Sequence, residues 1–244
     1  MALKTLQYRR HTFSIGYDIV HPQAKPTIVF LHGWGSNRAL MKQAFGTTLD
    51  TFRHVYVDLP GFGNSTAPIA LSTEDYADIM ELFLAQISAN DKEVIVGHSF
   101  GGKVATLLRP RRLVLLSSAG IVWPKPLKIR LKIALYKTLK FFGLTKLRSR
   151  FVAEDAKTLN KVMYDTFKKV VDEDFTEHFR TFGGRALLCW GRDDTATPMK
   201  SAQQIVSLIP DSRLVVYDGD HYFFLKHADE VAYEIGREVT GSAS

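Results

Sequence analysis

Residues 94–102 constrain this chain more than any other stretch. Three β-branched residues, Val94, Ile95 and Val96, run straight into Gly97-His98-Ser99-Phe100-Gly101-Gly102. The pattern reads as a buried strand that turns at once into a helix beginning near Gly102. Glycine is needed on both sides of the serine, because the turn brings strand and helix too close for a side chain. Ser99 then sits on a strained corner that pushes its hydroxyl out above the end of the sheet. Free backbone N–H groups of the new helix point at any oxyanion that forms there. By itself the pattern is also compatible with an ordinary tight turn between strand and helix, so the rest of the chain has to decide.

Around this corner, apolar runs alternate with amphipathic ones. Strands are expected over residues 5–10, 12–20, 27–31, 54–57, 113–116, 186–190 and 213–217. Helices are expected over 37–45, 72–88, 198–208 and 228–239. Residues 27–31, Thr-Ile-Val-Phe-Leu, form the continuous apolar run of a strand buried on both faces. Ser72 or Thr73 supplies a helix cap, with Glu74 and Asp75 in the favourable first turn. Strands alternating with helices imply an α/β fold, a mostly parallel central sheet with helices on both faces. Residues 121–178 break the alternation, being mostly helical in pattern with no strand. They are expected to form an inserted helical cap, with a core domain made of 1–120 and 179–244. A length of 244 residues suits one such domain with an insertion.

A serine hydroxyl is a poor nucleophile until a base takes its proton and a third group orients that base. The chain offers both partners downstream, each after a strand. Asp193 and Asp194 follow the strand ending at Trp190, and His221 follows the next, in Gly219-Asp220-His221. His227 is a second histidine, six residues further on, where the last helix begins. The order serine, acid, histidine differs from that of chymotrypsin and subtilisin.

With these residues in place, the chain resembles the serine hydrolases of the α/β-hydrolase fold over essentially its full length. The motifs are His32-Gly33-Trp34-Gly35, Asp58-x-Pro60-Gly61-x-Gly63-x-Ser65, the Ser99 corner, Gly191-x-x-Asp194-x-x-x-Pro198 and Gly219-x-His221. The resemblance implies Ser99 as nucleophile, His221 as base and Asp194 as the orienting acid, with Asp193 left to cap the turn. It implies an oxyanion hole from the backbone N–H groups of Trp34 and Phe100. His98 is expected to pack or hydrogen-bond under the corner, and His32 to shape the oxyanion loop. Asp58 to Ser65 is expected to be a structural turn. The reaction implied is cleavage of a small carboxylic ester through an acyl-enzyme. An alternative is the carbon–carbon bond hydrolysis of a meta-cleavage-type dienoate. Those enzymes commonly carry Asn before the serine and Trp after the histidine, where this chain has His98 and Tyr222. A third alternative is a catalytically silent scaffold of the same fold.

Charge separates the remaining classes. The net charge of +7 is confined to one segment: residues 123–150 hold nine Lys or Arg and no acid, so the rest of the chain sums to −2. A nucleic-acid binder would spread its basic residues over a face or several elements, so no nucleic-acid partner is expected. Residues 125–142 read as a basic helix with an apolar stripe. Three uses are open: packing within the cap, selection of an anionic substrate by a lysine or arginine, or contact with an anionic membrane surface. No cofactor and no metal are implied, since neither a zinc pattern nor a phosphate-binding glycine loop is present. Cys189, the single cysteine, is expected to be an inert core thiol. With no disulfide framework and no signal peptide, a cytoplasmic location is expected.

Overall fold

The computed structural model describes residues 1–123 and 161–241. The basic helix expected over 125–142 lies outside the described residues. Among those described, eight strands form one sheet: β1 (Ala2–Tyr8), β2 (His11–Val20), β3 (Thr27–Leu31), β4 (Arg53–Val57), β5 (Val94–His98), β6 (Arg112–Leu116), β7 (Arg185–Gly191) and β8 (Ser212–Tyr217). Their spatial order is β1-β2-β4-β3-β5-β6-β7-β8. β1 and β2 run antiparallel to their neighbours, and every pairing from β4 to β8 is parallel.

The α-helices among the described residues are α1 (Arg38–Phe45), α2 (Thr73–Gln86), α3 (Phe100–Leu107), α4 (Lys161–Val170), α5 (Thr176–Arg180), α6 (Met199–Leu208) and α7 (Ala228–Thr240). Side chains alternate across a strand, so β3 feeds two cores. Val29 and Leu31 face the core built with α2, α3, α5 and α6, while Ile28 and Phe30 face the one built with α1 and α7. All five β3 residues are buried, as a continuous apolar run requires. No helix among the described residues is long and apolar enough to cross a membrane.

Several boundaries differ by a few residues from the sequence reading. α3 starts at Phe100 rather than near Gly102. Glycine disfavours helix, but here Gly101 and Gly102 form the first turn because a Cβ on either would collide with its neighbours. β1 reaches back to Ala2 and ends at a tight turn through Arg9 and Arg10, both at positive φ. α2 begins under a capping box: Ser72 Oγ accepts from the Asp75 N–H, and the Asp75 carboxylate accepts from the Ser72 N–H. Reciprocal capping of this kind satisfies two donors that a helix start would otherwise leave open.

The topology places the site. From β3 the chain steps to β4 on one side and later to β5 on the other. In open α/β sheets, ligands bind at such a reversal, at the carboxyl ends of the strands. Ser99 is the residue immediately after β5.

Candidate active site

Ser99 has φ 51° and ψ −114°, a sparsely populated backbone conformation for a residue with a Cβ. Three hydrogen bonds hold it there. Its N–H donates to Leu116 O at 3.1 Å, and its carbonyl accepts from Gly102 N–H at 3.0 Å and Ala119 N–H at 3.1 Å. A Cβ on Gly97 would run into the backbone of Gly101, and one on Gly101 into the carbonyls of Leu31 and His32. The close approach inferred from the glycines is therefore physical, and it fastens α3 to the ends of both β3 and β5.

The loop after β3 lies against this corner. A Cβ on Gly33 would stand 3.1 Å from that of Ser99. His32, fully buried, shapes the loop: its Nε2 accepts from Leu59 N–H at 3.0 Å while Nδ1–H donates to Gly33 O at 2.8 Å. Burial pulls its pKa down to about 4, so the imidazole is neutral and its proton is on Nδ1. Asp58 holds the neighbouring turn, accepting from the backbone N–H groups of Arg38 and Asn64 at 2.8 Å each and from the Arg38 guanidinium. Phe100 is the first residue of α3, so its N–H has no acceptor within the helix.

Asp194 follows β7, and its side chain is completely shielded from solvent. Its Oδ2 lies 2.7 Å from His221 Nδ1 and accepts from Thr197 Oγ1 at 2.7 Å. Oδ1 accepts from Ala196 N–H at 2.8 Å and Thr197 N–H at 2.9 Å. Burial alone would raise the carboxyl pKa, but the hydrogen bonds from His221 and Thr197 outweigh it and hold it at about 2. A carboxylate so held takes the imidazole proton's direction onto Nδ1 and leaves Nε2 as a lone-pair acceptor.

Asp193, by contrast, is exposed, and its N–H bonds Gly219 O. His227 is engaged with Asp218 O and Glu230 at the start of α7. Of the two acids and two histidines in question, Asp194 and His221 are the pair brought together.

His98 ties this pair to the corner. Its Nε2–H donates to the His221 carbonyl at 3.1 Å, and the two rings lie 4.7 Å apart between centroids. Its Nδ1 is buried and, among the described residues, unpartnered. Burial, and then the neighbouring His221, depress its pKa to about 3. It is a neutral packing element under the corner. Cys189 is buried in β7, and burial pushes its thiol up to about 12.

Ser99, Phe100 and Trp34 share the wall of a cavity of about 250 Å³ with Trp123, Phe167 and Val171. Thr197 and Lys103 also line it. Neither was singled out from the sequence. Thr197 lies among unspecified positions of the Gly191-to-Pro198 motif, whereas Lys103 left a visible sign as the one charge in the apolar helix Phe100–Leu107.

The model of the alpha/beta hydrolase family matches residues 28–235. A protein of Aliivibrio fischeri (strain MJ11) named pimeloyl-(acyl-carrier protein) methyl ester esterase is 27% identical, over 85% of this chain and 91% of its own. The fold is similar to that of a thermophilic esterase from Thermogutta terrifontis, with a TM-score of 0.75, 17% identity and 99% of each chain covered. It is also similar to that of a meta-cleavage product hydrolase from Pseudomonas fluorescens, with a TM-score of 0.71, 17% identity and 98% of each chain covered. At such identities the two structural likenesses speak for the fold alone.

Proposed function

Because this chain belongs to the α/β hydrolase family, we propose that it is a serine hydrolase that cleaves a small carboxylic ester through an acyl-enzyme. The observation that carries the reading is the 2.7 Å contact between shielded Asp194 and His221, on a loop pinned to the strained corner that bears Ser99. In this reading Ser99 Oγ attacks the ester carbonyl, and His221 Nε2 takes its proton and returns it to the leaving alcohol. Asp194 fixes the tautomer and stabilises the imidazolium. The N–H groups of Phe100 and Trp34 stabilise the tetrahedral oxyanion, each by roughly 3 to 4 kcal/mol. Water repeats the sequence to release the acid.

The Aliivibrio relative's name specifies a methyl ester, which favours a small alcohol as leaving group here. The division proposed is a core of 1–120 and 179–244 with 121–178 as the cap; residues 124–160 of it lie outside the described residues, and α5 runs on to Arg180, two residues past that division. The setting proposed is cytoplasmic.

The test is hydrolysis of p-nitrophenyl esters of rising chain length, with Ser99→Ala in parallel. Wild type is expected to turn over with a chain-length optimum and to be labelled by a fluorophosphonate. Ser99→Ala should lose both while keeping its fold by circular dichroism. Turnover that survives in Ser99→Ala refutes the nucleophile. Labelling of Ser99 without ester turnover moves the reading to the carbon–carbon hydrolases, and failure of both leaves a silent scaffold.

A further inference from the structure

Lys103 is a charged group beside Ser99 that the proposed reaction does not use. Ser99 caps α3 and Lys103 lies four residues on, so the two share a helix face with a rise of roughly 6 Å between them. The Lys103 side chain is 2% exposed. Its Nζ donates to Val170 O at 2.7 Å and pairs with Glu173 Oε2 at 2.7 Å. Glu173 is anchored in turn by the Thr73 hydroxyl. The ring of Phe175 lies 4.7 Å from the ammonium and that of Phe100 5.9 Å.

Two features set this pair apart from an ordinary surface ion pair. Burying an ammonium is costly, and a well-packed apolar pair in its place is often as stable or more so. The desolvation is real here: it draws the Lys103 pKa below its ordinary value, against the pull of Glu173. An ammonium also has three N–H donors. Val170 and Glu173 occupy two of them, and the third meets no oxygen among the described residues. Yet Lys103 and Glu173 both line the cavity that Ser99 lines. Two other hydroxyls of the cavity are, by comparison, engaged: Ser118 donates to Ala119 O, and Ser201 accepts from Trp123 Nε1.

We propose that Lys103 is a specificity-determining residue, whose remaining donor receives a neutral oxygen on the acyl chain, several carbons from the scissile carbonyl. The matching substrates are esters whose acyl group carries a ketone, ether, hydroxyl or second ester. The inference rests on Ser99 being the nucleophile. A carboxylate is disfavoured at this position. Glu173 already neutralises Lys103, and Glu74 and Asp172 also act on it electrostatically, so a further anion would meet mainly negative charge. A plain hydrocarbon chain would cover the donor without meeting it, which is the expensive outcome.

The test uses the full chain and three sets of p-nitrophenyl esters: alkanoates, isosteric oxoalkanoates with the ketone moved stepwise along the chain, and ω-carboxyalkanoates. For wild type, the ratio of kcat/KM between oxo and plain ester should peak at one ketone position. A peak of roughly ten- to a hundredfold fits a hydrogen bond to a charged group. Lys103→Met should bring the ratio close to one, and the ratio does not depend on how much of the variant is folded. Glu173→Gln, which keeps the ammonium but removes its counter-charge, should raise the relative rate on ω-carboxyalkanoates, a change that a purely structural pair would not produce. A flat wild-type profile overturns the proposal without recourse to any variant. A peak that persists in Lys103→Met overturns it, as does a wild-type preference for the carboxylates. Absence of Ser99-dependent turnover in all three sets would instead sink the esterase reading on which it stands.

Discussion

Replacing Asp194 with Asn changes almost no volume, yet the geometry predicts that it disables the site. Oδ1 of Asp194 accepts two backbone N–H bonds, from Ala196 at 2.8 Å and Thr197 at 2.9 Å. Only an oxygen can take that place. The new amide must therefore keep its carbonyl toward Ala196 and Thr197 and turn its NH₂ toward His221 Nδ1, which lies 2.7 Å from the present Oδ2. An NH₂ there donates to Nδ1, so the imidazole proton moves to Nε2, and the nitrogen meant to take the serine proton is already protonated. A wrong tautomer costs about 10⁴ in kcat, equivalent to roughly 5 kcal/mol of barrier. The assay is kcat on a p-nitrophenyl ester for wild type, Asp194→Asn and Asp194→Ala, normalised to folded protein by circular dichroism. Asp194→Asn should fall about 10⁴-fold and do no better than Asp194→Ala, although it is the closer mimic in shape. An Asn variant within tenfold of wild type, or one far more active than Ala, would refute the tautomer argument.

Two further outcomes follow from side chains that the fold positions. The Asp194 carboxyl is held at about 2 in the folded state against 3.8 as its ordinary value. A depressed carboxyl pKa contributes stability that is present above the unfolded value and lost as pH falls through the folded one, here between about pH 4 and 2, and it amounts to roughly 2 kcal/mol. Urea unfolding at pH 5 and pH 2 should show wild type losing about that much more than Asp194→Asn, and equal losses would contradict it. Ser72→Ala removes the oxygen that accepts from Asp75 N–H at the start of α2. It should cost about 1 kcal/mol and lower the thermal midpoint by roughly 2 to 4 °C; an unchanged midpoint would show that the capping box contributes nothing.

The parts of the molecule that could be read from the chain are those in which local chemistry dictates backbone. β3 is a continuous apolar run, so it had to be buried on both faces, and it is. The Ser99 corner declares itself because glycines flank a residue whose φ must be positive. The antiparallel strands at residues 2–20 carry an alternation that puts Phe13 and Ile15 inward. The ends of elements were less legible. The sequence reading starts the helix near Gly102, but α3 begins at Phe100, with Gly101 against β3 and Gly102 against Ser118 in its first turn, where only a glycine fits. Tertiary packing overrode the local preference there.

Within the site, the same division separates Asp194 from Thr197 and Lys103. Asp194 follows a strand at a spacing that the resemblance assigns to the acid, so it could be named before any geometry was available. Thr197 acts through a hydroxyl 2.7 Å from Asp194 Oδ2, and nothing about one threonine in Thr195-Ala196-Thr197 distinguishes it from the other until the turn is folded. Lys103 presents the opposite case. A charge among Phe100, Val104 and Ala105 conflicts with the burial of that helix, and such a conflict between a residue and its surroundings is where function is to be sought. What the chain could not disclose is the partner: Glu173 is seventy residues away in sequence and reaches Lys103 only because α4 and the turn after it lie across α3. The lysine could thus be flagged from its helix alone, whereas its role in reading a substrate oxygen depends on a counter-charge that only the tertiary fold supplies.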